Sequence, residues 1–316
     1  MSYVLRRLGV AIGLIWLVAT LIFLILRLIP GDPAELLLSS GGVAPDPVQV
    51  RELRERLGLE RPLLVQYAAF MGQLARGDLG ASLTDDYPVV DEIAKRLPRT
   101  LELILVATLL AVAIGLPLGA FAALRRGSAI DRALSSAASF SQSVPVFVLG
   151  TLLILLFAQK LRWTPAGGYV ALAQDPGRHL VNLIMPAATI AAGLSTVVFR
   201  MTRASVLEAL GREWVRTARA KGLASGAVVR RHVVRNALAP VVTVVGLQMG
   251  TLLGGTVLVE YVFNWPGLSG YLVRAVEQRN YPEVQGIVLV ICALFVLLNL
   301  VVDLLYAVLD PRVRHG

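Results

Sequence analysis

The chain has 316 residues, of which 56% are hydrophobic and only 16% charged, against about 25% charged in an ordinary soluble domain. Its 30 Lys+Arg against 21 Asp+Glu give a formal charge of +9, and the mean hydropathy is +0.70. That pairing excludes intrinsic disorder, which needs low hydrophobicity, argues against a cytosolic enzyme, and leaves a multi-span membrane protein whose charges sit in loops.

A bilayer core of about 30 Å takes roughly 20 apolar residues in a helix. Six runs meet or approach that length: 8–26, 103–124, 133–159, 180–199, 236–259 and 284–302, the last continuing past Asp303 to Leu309. None contains Lys, Arg, Asp or Glu within those limits, and a β-barrel would show alternating segments of about ten residues instead. The expected fold is therefore an all-α polytopic membrane protein of six transmembrane helices. The first run follows a positive n-region but has no small-residue cleavage site after it, so it reads as a retained span.

Orientation follows from where Lys and Arg fall. With a cytoplasmic N-terminus, the inner pieces 1–7, 125–132, 200–235 and 310–316 carry 2, 3, 9 and 2 basic residues. The outer segment 30–98 carries 7 basic against 11 acidic residues. Both termini are thus expected on the cytoplasmic side of the membrane. Residues 1–98 read as an N-terminal span plus an extracytoplasmic cap, and 99–310 as a five-helix transmembrane domain with a loop at 204–235. Within the cap, VQVRELRERLGL and LLVQYAAFMGQLARG have helical spacing, and Gly77, Gly80 and Pro88 break the remainder of the segment. It reads as a helical cap that docks a partner or shields an entrance, or as a solvated spacer.

Segment 200–235 holds nine basic and two acidic residues, a net +7. Leu207, Leu210, Trp214 and Ala218 recur at helical spacing, and Gly222 and Gly226 bracket a break before the pattern resumes. The segment therefore reads as helix, sharp turn and second helix. Its composition fits anionic lipid head groups, nucleic acid or a docking knob for a cytoplasmic partner, although a loop tethered at both ends is poorly placed for nucleic acid.

In the third run, Ser135, Ser139, Gln142 and Ser143 share one face of a kinkable stretch ending at Pro145, which reads as the lining of a wet path. In the fifth, Gly246, Gly250 and Gly254 at i,i+4 spacing make a flat face for helix packing, with Gln248 on another face as a candidate path residue. Asp303 is expected to pair structurally with Arg200 or Arg203. Glu260 and Arg27 are expected to reach head groups or loops at the outer ends, and 262–272 reads as a small re-entrant element of an outer gate.

Catalytic chemistry has little to stand on. Lys95, Lys160 and Lys221 are followed by Arg96, Leu161 and Gly222, so none occupies a phosphate-binding loop, and no HExxH or GxSxG occurs. Histidines 179, 232 and 315 lie far apart and read as loop or interface residues, with no metal site expected. Cys292, the only cysteine, allows no intrachain disulfide and reads as a small buried hydrophobe.

The RTARAKG segment at 216–222 resembles the EAA signature of permease subunits of ATP-binding-cassette importers, in the branch that includes dipeptide, oligopeptide, nickel and glutathione permeases. RLIPGDPA at 27–34, GDLGASL at 77–83, RLPRTLEL at 96–103, RNALAPVVTVVGLQMG at 235–250, GGTVLVEYVFNWPGL at 254–268, RNYPEVQ at 279–285 and NLVVDLLYAVLDPRVR at 299–314 fit the same branch. Two departures from the general signature, Arg216-Thr217-Ala218 in place of Glu-Ala-Ala and a later proline at Pro240, look like features of that branch. The resemblance implies a type I importer fold and no enzymatic activity in this chain. It implies a coupling helix in which Arg216, Thr217, Ala218, Lys221 and Gly222 face an ATPase groove, with Trp214 and Leu223 as apolar anchors. It implies as partners a second permease subunit in a heterodimer, two ATPase subunits that bind ATP and magnesium, an extracytoplasmic solute-binding protein and the lipid bilayer, and no nucleic acid. The expected solute is a peptide or glutathione-like molecule, with nickel as the alternative. An ion-driven secondary transporter and a membrane-embedded hydrolase are the rival classes; Asp303 alone near a span end argues against the first.

Overall fold

The computed structural model describes residues 2–28, 34–35, 46–56 and 58–309; side chains at 2–5, 26–28, 53, 56, 225, 230–231 and 302–309 lie outside that description. Among the described residues the chain is helical, with one isolated antiparallel bridge between Ala81 and Pro88. The helices are α1 (Ser2–Leu28), α2 (Pro47–Arg56), α3 (Leu63–Ala75), α4 (Val89–Leu124), α5 (Ala129–Ser143) and α6 (Val146–Leu153), which runs on into a π-helical stretch Ile154–Lys160. Then come α7 (Pro176–Gly211), α8 (Glu213–Ala220), α9 (Ser225–Val228) with a π-helical stretch Val229–Val233, α10 (Val234–Gly255), α11 (Val257–Val262), α12 (Leu268–Glu277) and α13 (Tyr281–Leu309).

Among the described residues, five single helices are long and apolar enough to cross a membrane: α1, α4, α7, α10 and α13. The third apolar run, expected as one span, is broken into two helices, Ala129–Ser143 and Val146–Lys160, bent by 98°, which together are apolar and long enough to count as a sixth. Pro145 explains the break. It has no N–H to donate into a helix and forces its predecessor out of helical geometry, and Val144 accordingly sits at φ −82°, ψ 122°.

The chain divides into two compact units: Met1–Pro98 with Gly267–Val296, and Arg99–Pro266 with Leu297–Gly316. In the first, Phe23 of α1 packs against Tyr67 and Phe70 of α3, with ring centroids 5.3 and 5.5 Å apart, and the Thr20 and Tyr67 hydroxyls lie 2.7 Å apart. A second cluster joins Val89 and Ile93 of α4, Leu268, Tyr271 and Ala275 of α12, and Ile287 of α13.

In the second unit α7 is the central element, packed against α5, α6 and α10. Its 36 residues span about 54 Å at 1.5 Å per residue, more than a bilayer core requires. The helix therefore continues past the end of the apolar run at 199 as far as Gly211. Against α4 the approach is close enough to exclude side chains. A Cβ on Gly115 would meet the Ser195 carbonyl oxygen at 2.6 Å, and one on Gly119 the Phe199 carbonyl oxygen at 2.6 Å. This small-xxx-small pair is a packing face that glycine spacing alone does not single out. Of the three glycines expected in that role, Gly246 and Gly250 are buried in α10, but Gly254 faces open space. Within this chain a Cβ at Gly254 would meet no atom within 4 Å.

Replacing Gly119 by Leu pushes a side chain into backbone and is expected to destabilise the fold by about 2–3 kcal/mol. Gly254→Leu is expected to stay within about 0.5 kcal/mol. Thermal unfolding of the detergent-solubilised protein checks both; equal effects would contradict the packing described.

Candidate functional site

At Gly211 α7 ends and Arg212 turns to φ −74°, ψ 147° before α8 begins. That interruption resets the helical phase. Continued from Leu207 and Leu210, the apolar stripe would bury Trp214, but the structure buries Val215 instead, to 1% exposure, and leaves Trp214 37% exposed. Val215 packs with Val206 and Ala209 of α7, Ala123 of α4, and Val228, Val233 and Ala237 beyond the turn, with Ala218 half-buried beside it. Trp214 tilts against the His232 ring at 6.5 Å.

The C-terminus of α8 is closed by a Schellman motif. The Leu223 N–H donates to the Ala218 carbonyl at 3.3 Å and the Gly222 N–H to the Arg219 carbonyl at 2.9 Å. This geometry requires a left-handed residue after the helix, and Gly222 supplies it at φ 77°. Arg216, Thr217, Lys221, Gly222 and Leu223 are all exposed. The α8 surface is thus anchored by Val215 on one side. On the other it presents Arg216, Arg219 and Lys221 between the apolar flanks Trp214 and Leu223.

The polar stretch on α5 is tied to α7. The Ser141 hydroxyl donates to the Ala192 carbonyl and the Thr196 hydroxyl to the Ala138 carbonyl, each at 3.1 Å. Ser139, Gln142 and Ser143 remain exposed. Ser139 and Ser143 donate back to carbonyls one turn earlier, and Arg200 reaches the Ser139 hydroxyl at 3.1 Å. Gln248 stands half-buried on α10, a separate helix, and its carbonyl accepts the Thr251 hydroxyl.

Arg203 grips Asp131 with two parallel bonds, Nε to Oδ1 at 2.7 Å and Nη2 to Oδ2 at 2.8 Å. Asp131 is 3% exposed and also accepts the Gly127 N–H. A planar fork on a carboxylate is among the strongest ion pairs, and it fastens the start of α5 to α7 eight residues before the end of α7. The expected Asp303 partnership is therefore replaced for Arg203 by Asp131, and Arg200 turns to Ser139; the side chains of Asp303 and Arg27 lie outside the described residues.

Two buried groups escape sequence reasoning. Glu260, expected to reach head groups or loops, is 1% exposed and accepts the Thr100 hydroxyl at 2.8 Å and the Thr256 hydroxyl at 3.2 Å. His179, expected as a loop or interface residue, is 1% exposed. Its Nδ1 lies 2.7 Å from the Val170 carbonyl and its Nε2 2.7 Å from Glu102 Oε1. The carbonyl only accepts, so the Nδ1–H donates to it and Nε2 faces the carboxyl. Tyr169 and Trp265 wall this pair edge-on, and Arg99 covers the Tyr169 ring at 4.6 Å. The one sequence signal is position: Glu102 and His179 each abut the start of an apolar run. The 262–272 segment is the end of α11 and the start of α12 around a turn, with Trp265 Nε1 donating to the Arg99 carbonyl at 3.1 Å.

Comparison with known proteins bears on this arrangement. Residues 115–315 match the family model described as binding-protein-dependent transport system inner membrane component, and residues 1–104 match the model of the N-terminal part of such membrane components. Over its full length the chain is similar to the di/tripeptide transport system permease protein DppB of Pseudomonas aeruginosa, with 43% identity covering 100% of this chain and 99% of the relative. Its similarity to the dipeptide transport system permease protein DppB of Escherichia coli is 38%, and to the glutathione transport system permease protein GsiC of the same species 41%, each covering 100% and 99%. Among solved structures, the inward-facing methionine ABC transporter MetNI shares the fold at TM-score 0.55 and 19% identity, covering 69% of this chain and 96% of that one.

His179→Phe keeps a ring between Tyr169 and Trp265 but strips the Val170 carbonyl of its donor and Glu102 of its partner. A buried polar group left unpaired costs roughly 1–3 kcal/mol, so the variant is expected to unfold at a lower temperature than wild type. An unchanged unfolding temperature would contradict the pairing.

Proposed function

The chain belongs to the family of binding-protein-dependent transport system inner membrane components, and from that premise we propose that it is the permease subunit of an ATP-driven importer of di- and tripeptides or glutathione-like solutes. Full-length likeness to the dipeptide, di/tripeptide and glutathione permeases carries the solute class. The chain itself hydrolyses nothing; ATP and magnesium are bound by two ATPase subunits. A second, related permease completes the path, and an extracytoplasmic binding protein delivers the solute. Both termini lie in the cytoplasm, with the net +7 of 200–235 on the inner side and the acidic segment 30–98 on the outer.

In this reading α8 is the coupling helix. What supports it is the division of its surface. Val215 and Ala218 bind it to the rest of the unit, while Trp214, Arg216, Thr217, Lys221 and Leu223 face outward for a partner. The exposed cations steer toward an acidic rim, and the apolar flanks enter its groove. Movement imposed on α8 by ATPase closure passes through Val215 into α7 and, by Asp131–Arg203, into α5. The Ser139, Gln142 and Ser143 face of α5, with Gln248 of α10, then lines the path that opens and closes, and Gly246 and Gly250 let a neighbouring helix approach.

Gly222→Trp places a large side chain beside the docking face at a position with no atom within 4 Å of a Cβ. It is expected to prevent co-purification with the ATPase subunits and to lower ATP-dependent dipeptide uptake at least tenfold. Gly222→Ala carries a similar backbone penalty of about 1 kcal/mol without the bulk and is expected to retain assembly. Unchanged assembly and uptake in the Trp variant would overturn the coupling role.

A further inference from the structure

The first unit holds a cavity of about 390 Å³ that neither α8 nor the α5 path explains. The 82–87 loop forms one wall, the first turns of α4 a second, and α12 with the start of α13 the third. None of its lining residues is aliphatic, so it offers nothing to a lipid tail or an amphipathic helix.

Its walls are fixed before any ligand arrives. Asn280 is fully buried; its Nδ2 donates to Ser82 Oγ at 3.0 Å and its Oδ1 accepts the Leu83 N–H at 3.2 Å, pinning the loop. Arg96 donates to Glu92 at 2.6 Å and lies 4.8 Å over the Tyr271 ring. Lys95 donates to the Tyr87 hydroxyl at 2.8 Å. Burial, with the facing Glu283 carboxylate, pushes the Tyr271 phenol well above its ordinary value, so it stays neutral.

Capacity for a ligand is left over. Arg274 stands exposed on α12, one turn from Tyr271, with no ion pair among the described residues. Arg96 Nη1 is buried with no hydrogen-bond partner. The Glu283 carboxyl, 5% exposed, accepts the Tyr271 hydroxyl and has lone pairs to spare, and the exposed Asp85 is held below its ordinary value by the Ser82 hydroxyl and the Tyr87 N–H. Three cationic and three anionic side chains line the space. Such a balance suits neither a simple anion nor a cation; it suits a small molecule carrying one charge of each sign.

We propose that this cavity is a solute site on the permease itself, which takes a zwitterionic peptide by its two charged termini. The carboxylate goes to Arg274 and Arg96 and the ammonium to Glu283 and Asp85. The site rests on the peptide-import reading and extends it: the permease holds its solute outside the path, independently of the binding protein.

The test uses the assembled complex with its partner permease and ATPases in lipid nanodiscs, without binding protein. Labelled dialanine is titrated by equilibrium dialysis, with N-acetyl-dialanine amide as the uncharged analogue. Dialanine is expected to bind saturably, about tenfold more weakly to Arg274→Gln, the loss of one charge-assisted contact. It is expected not to bind to Gln278→Trp, which plugs the mouth; both positions are exposed, so the fold is not at stake. The analogue is expected not to bind. Absence of saturable binding, binding indifferent to both substitutions, or equal binding of the analogue would overturn the site. Uptake by proteoliposomes holding all partners keeps the two readings apart. Uptake without cavity binding overturns the site alone, and Arg274-dependent binding without uptake overturns the import reading and leaves the site standing.

Discussion

Helix α7 has to serve α4, α5 and α10 at once, in a medium that offers no water to satisfy stray polar groups, and the second unit is arranged around how it does so. Its middle makes contacts that cost little in hydrocarbon. Gly115 and Gly119 admit its backbone to α4, and single hydroxyls of Ser141 and Thr196 bridge to carbonyls across α5 and α7. Its ends carry the ionisable pairs, His179 with Glu102 at one and Arg203 with Asp131 at the other. Charge is dearest at mid-membrane and cheaper toward the interfaces, so this ordering lets one long helix be both closely packed and electrostatically fixed.

That fixing gives the proposed coupling its mechanical basis. Interiors packed at crystal-like density transmit displacement, and Val215 sits in such an interior while the rest of the α8 surface is free for a partner. The turn at Arg212 allows α8 to leave the α7 axis, and the Gly222 turn returns the chain through α9 to α10. A rigid hydrogen-bonded corner on each side of eight residues makes α8 a handle rather than a flexible loop. The fork between Arg203 and Asp131 extends its reach to the polar face of α5.

Hydropathy alone marks the apolar runs, because burying backbone in lipid demands long uncharged helices and leaves few other solutions. It marks less well where helices end. Arg200, Arg203 and Arg212 stop the apolar run at 199, but charge does not stop a helix, and α7 runs on to Gly211. Pro145 carries the break between α5 and α6 openly; the 98° angle depends on what α6 packs against. The phase reset at Arg212 is invisible to a stripe counted from Leu207, and such a stripe turns Trp214 rather than Val215 inward. Gly115 and Gly119 carry no sequence signal of their own, and only the backbone of α7 beside them shows that they are a packing face. His179 and Glu102 are 77 residues apart, and no periodicity joins residues on different helices. The exposed face of α8, by contrast, is written locally in RTARAKG and in the positive φ that Gly222 tolerates without a Cβ penalty.

Sorted along the chain, the excess of +9 is no general affinity for nucleic acid. The 200–235 segment holds nine basic and two acidic residues, while 30–98 holds seven basic and eleven acidic, so the charge is concentrated around the proposed ATPase-docking helix. The central claim is that nucleotide on that side drives peptide movement through a path this chain helps to form. Accumulation of labelled dialanine in proteoliposomes containing the chain, its partner permease, the ATPases and the binding protein tests it most directly. The account predicts uphill accumulation that requires hydrolysable ATP on the ATPase side and is indifferent to a proton ionophore. Accumulation that persists without ATP and collapses with the ionophore would contradict it.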